Sequence, residues 1–126
     1  MLKSKNIENK NATLPDNIHE FYHAHVYFDE ASLEWATKLC QQAARSFELK
    51  LGRVHQKLVG PHPCWSCQLA FAQDQYEHVI PWLDENRQGL SILIHADTGH
   101  DLKDHTDYAS WLGEPLLLNL SLFDKG

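Results

Sequence analysis

Glu20 to Phe28 reads E-F-Y-H-A-H-V-Y-F. The run is aromatic and β-branched, and it alternates. Tyr22, Ala24, Val26 and Phe28 fall on one face; Phe21, His23, His25 and Tyr27 fall on the other. A period of two predicts a strand, because successive side chains point to opposite sides of the pleat. One face is wholly apolar and suits a core. The other carries two imidazoles and a phenol, so the strand separates the core from a chemically different surface.

Outward from this strand, Asp29 reads as an N-cap with Glu30 in the first turn. Leu33, Ala36, Leu39, Cys40, Ala43 and Phe47 then recur at helical spacing, which predicts a helix from about Ser32 to Phe47. Leu49–Leu58 reads as a second strand. Gly60-Pro61-His62-Pro63 ends it, since two prolines cannot continue a ladder. Cys64–Phe71 is a third strand with Trp65, Cys67, Leu69 and Phe71 on its apolar face. Asp74 with Glu77 resembles a capping box for a helix to about Asn86, with a kink or restart expected at Pro81. Leu90–His95 is a fourth strand. Beyond a loop at Ala96–Lys103, a short helix is predicted from Asp104 to Leu112, ended by Gly113, and then a strand from Leu116 to Phe123.

The order strand, helix, strand, strand, helix, strand is that of an α+β ferredoxin-like split βαβ sandwich, here with a C-terminal helix and an extra strand. Right-handed crossovers put both helices on one face, and the first and third strands are expected to be central and parallel. Residues 1–18 are polar and rich in Lys and Asn, so they read as a disordered tail ahead of a single domain at 19–126.

The 126 residues are 43% hydrophobic and 22% charged, ordinary for one globular domain. A net charge of -6 argues against nucleic-acid binding, which a basic face normally drives. No apolar run reaches the ~20 residues of a membrane span, and the N-terminus lacks a secretory core. A cytoplasmic protein with free thiols is the default expectation. Nine histidines are the outlier. Histidine is the commonest metal ligand and the usual acid/base near neutral pH, so their placement is the functional question.

His23, His25 and Tyr27 should share the face opposite the helices. Ser91, Leu93 and His95 should join them from the fourth strand, and Arg53, His55 and Lys57 from the second. With the fourth strand antiparallel to the first, His95 comes beside His23. A parallel third strand would bring the loop carrying His62 to the same end. Neutral imidazoles suit zinc, iron, copper or nickel. His23, His62 and His95 are therefore the candidate ligands, with His25 a fourth ligand or a neighbour that orients them. His55 is an acid/base candidate, because Arg53 and Lys57 beside it favour the neutral ring.

Cys64-Trp65-Ser66-Cys67 matches C-x-x-C, but residues three apart on a strand face opposite ways, so packing is the expected role. Cys40 belongs to a helix stripe and reads as a small buried hydrophobe.

His23-Ala24-His25-Val26-Tyr27-Phe28-Asp29, Gly60-Pro61-His62-Pro63 followed by Trp65, Leu93-Ile94-His95 with Thr98-Gly99, Asp104-His105-Thr106, and Trp111-Leu112-Gly113 together resemble the DOPA 4,5-dioxygenase family. The resemblance runs from Phe21 to Gly113. It implies a ferredoxin-like fold, a homodimer, and extradiol opening of a catechol ring by O2 at a non-haem Fe(II), giving a muconic semialdehyde. Open coordination positions are needed, so about three protein ligands are expected. No carboxylate stands out among the convergent residues, which leaves the all-histidine set of His23, His62 and His95. His25, His55 and His105 are then the acid/base candidates. Tyr27 would line the pocket, and Arg53 or Lys57 would pair with a substrate carboxylate. Two rival classes are a metal- or small-ligand-binding module without oxygenase activity, and a cofactor-independent small dimeric oxygenase.

Overall fold

The computed structural model describes residues 17–123. Its elements are β1 (Phe21–Phe28), α1 (Leu33–Phe47), β2 (Lys50–His55), β3 (Trp65–Ala72), α2 (Gln73–Asn86), β4 (Ile92–Ala96), the short α3 (Asp101–Asp104) and β5 (Ala109–Leu112), followed by a 3-10 turn at Ser121–Phe123. One five-stranded sheet has the spatial order β2-β3-β1-β4-β5. The split βαβ sandwich predicted from the element order is the fold observed. The polar tail expected at 1–18 lies, up to residue 16, outside the described residues.

All neighbouring strands are antiparallel. Phe21 pairs with Ala72 and Phe28 with Trp65, so β3 runs against β1, not along it as the sequence reading held. The reason is topological. The right-handed β1-α1-β2 crossover makes β2 parallel to β1, and the connection after β2 reverses the chain into β3, which inserts between them. The start of β3 therefore lies at the end of β1, beside Tyr27 and Phe28.

The helices cover one face. Tyr22, Ala24 and Val26 of β1, Cys67 and Leu69 of β3 and Ile92 and Ile94 of β4 pack against Ala36, Leu39, Cys40 and Ala43 of α1 and Val79, Ile80 and Leu83 of α2, nearly all without solvent contact. The alternation in Glu20–Phe28 is thus converted into the core, each large apolar side chain contributing about 1.5–3 kcal/mol by burial. Pro81 neither breaks nor restarts α2. Its missing N–H leaves the Glu77 carbonyl without a helical partner, and both residues face water, which can supply one. The capping expectation at Asp74 and Glu77 is replaced by Gln75, whose side-chain oxygen accepts the Ala72 N–H at 2.9 Å. Cys67 points into the core beside Cys40 while Cys64 is only half-buried, so the C-x-x-C pair is split across the sheet; all three thiols are free.

The C-terminal prediction needs correction. Only Asp101–Asp104 is helical, and Ala109–Leu112, read as helix, is instead the edge strand β5. Ile92, Leu93, Ile94 and His95 face Leu112, Trp111, Ser110 and Ala109 across that ladder. The open edge of β4 offers hydrogen-bonding groups that a helix could not use, and tertiary pairing overrides helical spacing. With that edge filled, Leu116–Phe123 forms no strand. It is tied by Ser91 Oγ donating to the Glu114 carbonyl and by the Asn119 N–H donating to the Pro61 carbonyl at 2.8 Å. The helix-free face is therefore flanked by two segments of this chain, the connection carrying Pro61 and His62 and the run after Gly113.

Candidate metal centre

The helix-free face holds the histidines. His23 and His25 lie two residues apart on β1, so both rings share that face. His95 is the register partner of His23 on β4. Direct cross-strand partners stand about 5 Å apart, and this places three imidazoles together. Ligand atoms of His23, His25 and His95 all lie within 4.8 Å of one another. His25 and His95 are buried, 5% and 3% exposed, and His23 is partly open.

The hydrogen bonds set the tautomers. His95 Nδ1 lies 2.7 Å from the Ala96 carbonyl, which can only accept, so Nδ1 carries the proton and Nε2 presents a lone pair. His25 Nε2 approaches that Nε2 at 2.9 Å. His105 likewise commits Nδ1–H to the Asp101 carbonyl at 2.8 Å, leaving Nε2 bare. Its ring lies 4.2 Å from that of His95 and stacks on Phe123 at 4.8 Å. His23 Nε2 faces Asp97 Oδ2 at 3.4 Å.

His62 reaches the cluster by a different route from the one expected. The connection before β3 begins at the far end of β1, yet it folds back over the face. His62 Nδ1 meets the Tyr27 hydroxyl at 2.7 Å, and its ring lies 4.2 Å from His25. His62 and Tyr27 are both buried. His55 stands opposite Ser66, itself opposite Tyr27, so it occupies the same face nearer the sheet edge. Trp111 closes another side, 5.8 Å from the Tyr27 ring. Arg53 and Lys57 are exposed, and Lys57 lies past the end of β2. The structure thus gathers His23, His25 and His95 most tightly, with His62, Tyr27 and His105 around them.

Burial keeps these rings neutral. Desolvation lowers the pKa of His25 far below the usual imidazole range, and the neighbouring rings push the same way. His62 is brought down to about 4 and His95 to about 3, again chiefly by burial. His23 is lowered by burial too, with Asp97 opposing. The Tyr27 phenol is pushed up by burial and stays protonated. Neutral imidazoles with available lone pairs are the protonation state that ligation requires. The donor set fits a borderline transition metal better than a hard, oxygen-preferring cation.

Two contributors were not read from the sequence. Asp104 is 2% exposed, and its carboxylate accepts from the Thr98 N–H at 2.9 Å and from Thr98 Oγ1 at 2.7 Å. It clamps the turn that follows His95. Asp97 faces His23. An aspartate in a turn or at a helix end gives no sign in the sequence of which direction its carboxylate takes.

This two-layer α+β chain is similar to dioxygenases in fold and in sequence. A crystal structure of a candidate dioxygenase from Nostoc punctiforme superposes with a TM-score of 0.79 at 45% identity, covering 82% of this chain and 90% of that one. More narrowly, residues 22–122 match the Dopa 4,5-dioxygenase family, and the chain belongs to it. An uncharacterised 21.2 kDa protein of Botryotinia fuckeliana is 34% identical over 98% of this chain and 74% of its own length. The DOPA 4,5-dioxygenase of Amanita muscaria is 31% identical over 86% of this chain, which spans about half (52%) of that protein.

Proposed function

We propose that this chain is an extradiol dioxygenase that opens the ring of DOPA-like catechols with O2 at a histidine-bound non-haem Fe(II). The observation carrying the reading is the convergence of His23, His25 and His95 on one sheet face within 4.8 Å. Family membership supports a dioxygenase reaction. These three residues would hold the ion, and His62, the third ligand in the sequence reading, stands beside them. When bound, Fe(II) supplies a redox-active Lewis acid that brings catechol and dioxygen together and lets electron density pass between them.

The protein's own groups do the rest. The His62 ring is neutral and hydrogen-bonded to Tyr27, so it can take a catechol hydroxyl proton while the phenol fixes its orientation. His105 presents its bare Nε2 from the other side of His95, where it can accept the second catechol hydroxyl proton and return that proton as the ring opens. His55 is a more distant acid/base group on the same face, and Arg53 and Lys57 are the exposed cations available to a substrate carboxylate. Leu93, fully buried, forms the apolar inner wall, with Trp111 beside it across the ladder.

The same reading makes the chain a cytoplasmic homodimer. Leu58 and Leu117, 65% and 90% exposed, lie on the two segments flanking the histidine face and offer apolar surface to a second copy. Among the described residues no helix is long and apolar enough to cross a membrane. Sedimentation tests the dimer. The test of function is anaerobic Fe(II) reconstitution, addition of L-DOPA and related catechols, then air. Iron-dependent yellow semialdehyde with one O2 consumed per catechol supports the proposal. Bound iron with no colour from any catechol overturns it and favours a binding module.

A further inference from the structure

Gly113 ends β5 with a φ of 80°, and a Cβ there would lie 3.0 Å from the Leu90 carbonyl, so glycine is what lets the chain turn out of the sheet. The run that follows alternates. Leu116, Leu118 and Leu120 are half-buried while Leu117 and Asn119 are exposed, so this irregular segment lays one apolar edge against the body of the protein. The Asn119 N–H donates to the Pro61 carbonyl, on the peptide that joins Pro61 to His62. The Asn119 side chain then bends the chain, accepting from the Ser121 N–H at 3.2 Å and from Ser121 Oγ at 2.7 Å. Beyond this bend the Phe123 ring stacks on His105, with centroids 4.8 Å apart and an interplanar angle of 29°. One strap thus spans from the connection carrying His62 to His105, the two groups given proton-transfer roles above.

His105 needs such support. It directly follows α3, a helix of four residues whose Leu102 and Lys103 are exposed, and a single turn is too short to be rigid by itself. Three contacts fix its ring: the Asp101 carbonyl accepts Nδ1–H at 2.8 Å, His95 lies 4.2 Å away, and Phe123 stacks on it. Phe123 is also separable from the fold. It lies outside the hydrophobic core, and a recess of about 550 Å3 opens between Leu122, Phe123 and the connection from Gly99 to Lys103.

We propose that Phe123 is a positioning residue, delivered by the C-terminal strap, whose ring holds His105 in the tautomer and orientation that leave Nε2 bare beside His95. The inference rests on the proton-transfer role given to His105 above, and it makes the run after Gly113 part of the site.

The test compares the purified full chain with its Phe123→Leu and Phe123→Tyr variants. Ring 15N and 1H NMR of His105 is recorded at pH 7.5 without metal, then iron content and catechol turnover are measured after Fe(II) loading. In wild type the His105 ring protons should be shifted upfield by the stacked phenyl ring, with the proton on Nδ1. Phe123→Leu should lose the shift and populate the Nε2–H tautomer. Its kcat should fall about tenfold, with iron content and KM little changed. Phe123→Tyr, which keeps an aromatic face, should restore the wild-type spectrum and rate. An unshifted His105 in wild type, or a Phe123→Leu protein that keeps the single Nδ1–H tautomer or the wild-type kcat, overturns the proposal. Absence of ring opening by wild type sinks the oxygenase reading instead, and the His105 tautomer in Phe123→Leu then decides this one.

Discussion

His25 and His95 face each other through their Nε2 atoms at 2.9 Å, and the Ala96 carbonyl fixes which of the two rings must donate. In the metal-free chain this contact is one hydrogen bond between two buried imidazoles. Were these two residues to hold an ion, as proposed above, both nitrogens would serve as ligands, and the proton on His25 Nε2 would have to move to the other ring nitrogen.

This gives a direct test of the ligand set. His23→Ala, His25→Ala and His95→Ala should each weaken Fe(II) binding by more than the ~10–100-fold typical of losing a residue that merely orients a ligand. His62→Ala should keep most of the bound iron and lose catechol turnover. Metal content after dialysis, beside oxygen uptake, separates the two groups. Iron retained in full by His25→Ala but lost in His62→Ala would restore the triad of His23, His62 and His95 read from the sequence.

How much of this was legible follows from where each residue sits. The pairing of His23 with His95 was readable because both lie on strands, where period two and the antiparallel β1-β4 ladder fix face and register. The place of His25 beside them follows from the same rule. His62 was brought to the right region by a wrong argument. Its loop leaves the opposite end of the sheet and returns only because its own packing folds it back, which no periodicity records. Asp104 and β5 were misread for a related reason. Helical spacing in Asp104–Leu112 is a local signal, while the free edge of β4 and the Thr98 turn that decide the matter are distant in sequence.

The Tyr27–His62 contact predicts an effect that separates orientation from ligation. Tyr27→Phe removes the hydroxyl that meets His62 Nδ1 at 2.7 Å and leaves that nitrogen buried without its partner. The cost should be about 1–3 kcal/mol of stability. Iron affinity should change little, while kcat falls because the ring loses its fixed orientation. Chemical denaturation and steady-state kinetics measure the two effects. Unaltered kcat in a folded Tyr27→Phe protein would remove His62 from the proton-transfer role.

Asp104 is a structural clamp by the same logic. Asp104→Ala strips both Thr98 hydrogen bonds from a residue only 2% exposed. Hydrogen bonds to a carboxylate contribute roughly 1.5–3 kcal/mol each, so a loss of at least ~2 kcal/mol is expected. For a domain of this size that is a fall in Tm of roughly 8–16 °C. Asp104→Asn, which keeps one acceptor, should fall between. A melting temperature within a degree or two of wild type for Asp104→Ala would show that the turn after His95 holds itself.

Acid should destabilise the metal-free protein well above the carboxylate range. In the unfolded chain the histidines titrate near 6.5, whereas in the folded chain burial holds His62 at about 4 and His95 at about 3, with His25 also far depressed. Between those limits the unfolded state binds more protons, so stability rises with pH there. The contribution is complete above about pH 6.5, declines as pH falls through 6 and 5, and is spent once the folded-state values are passed. Urea midpoints in EDTA at pH 7.5, 6.0 and 5.0 should therefore decrease in that order. The slope should be shallower in His62→Gln, which removes one of the depressed groups. A midpoint that stays level or rises from pH 7.5 to 5.0 would mean that these imidazoles reach water or a counter-charge in the folded state, and would undercut the neutral-donor basis of the metal centre.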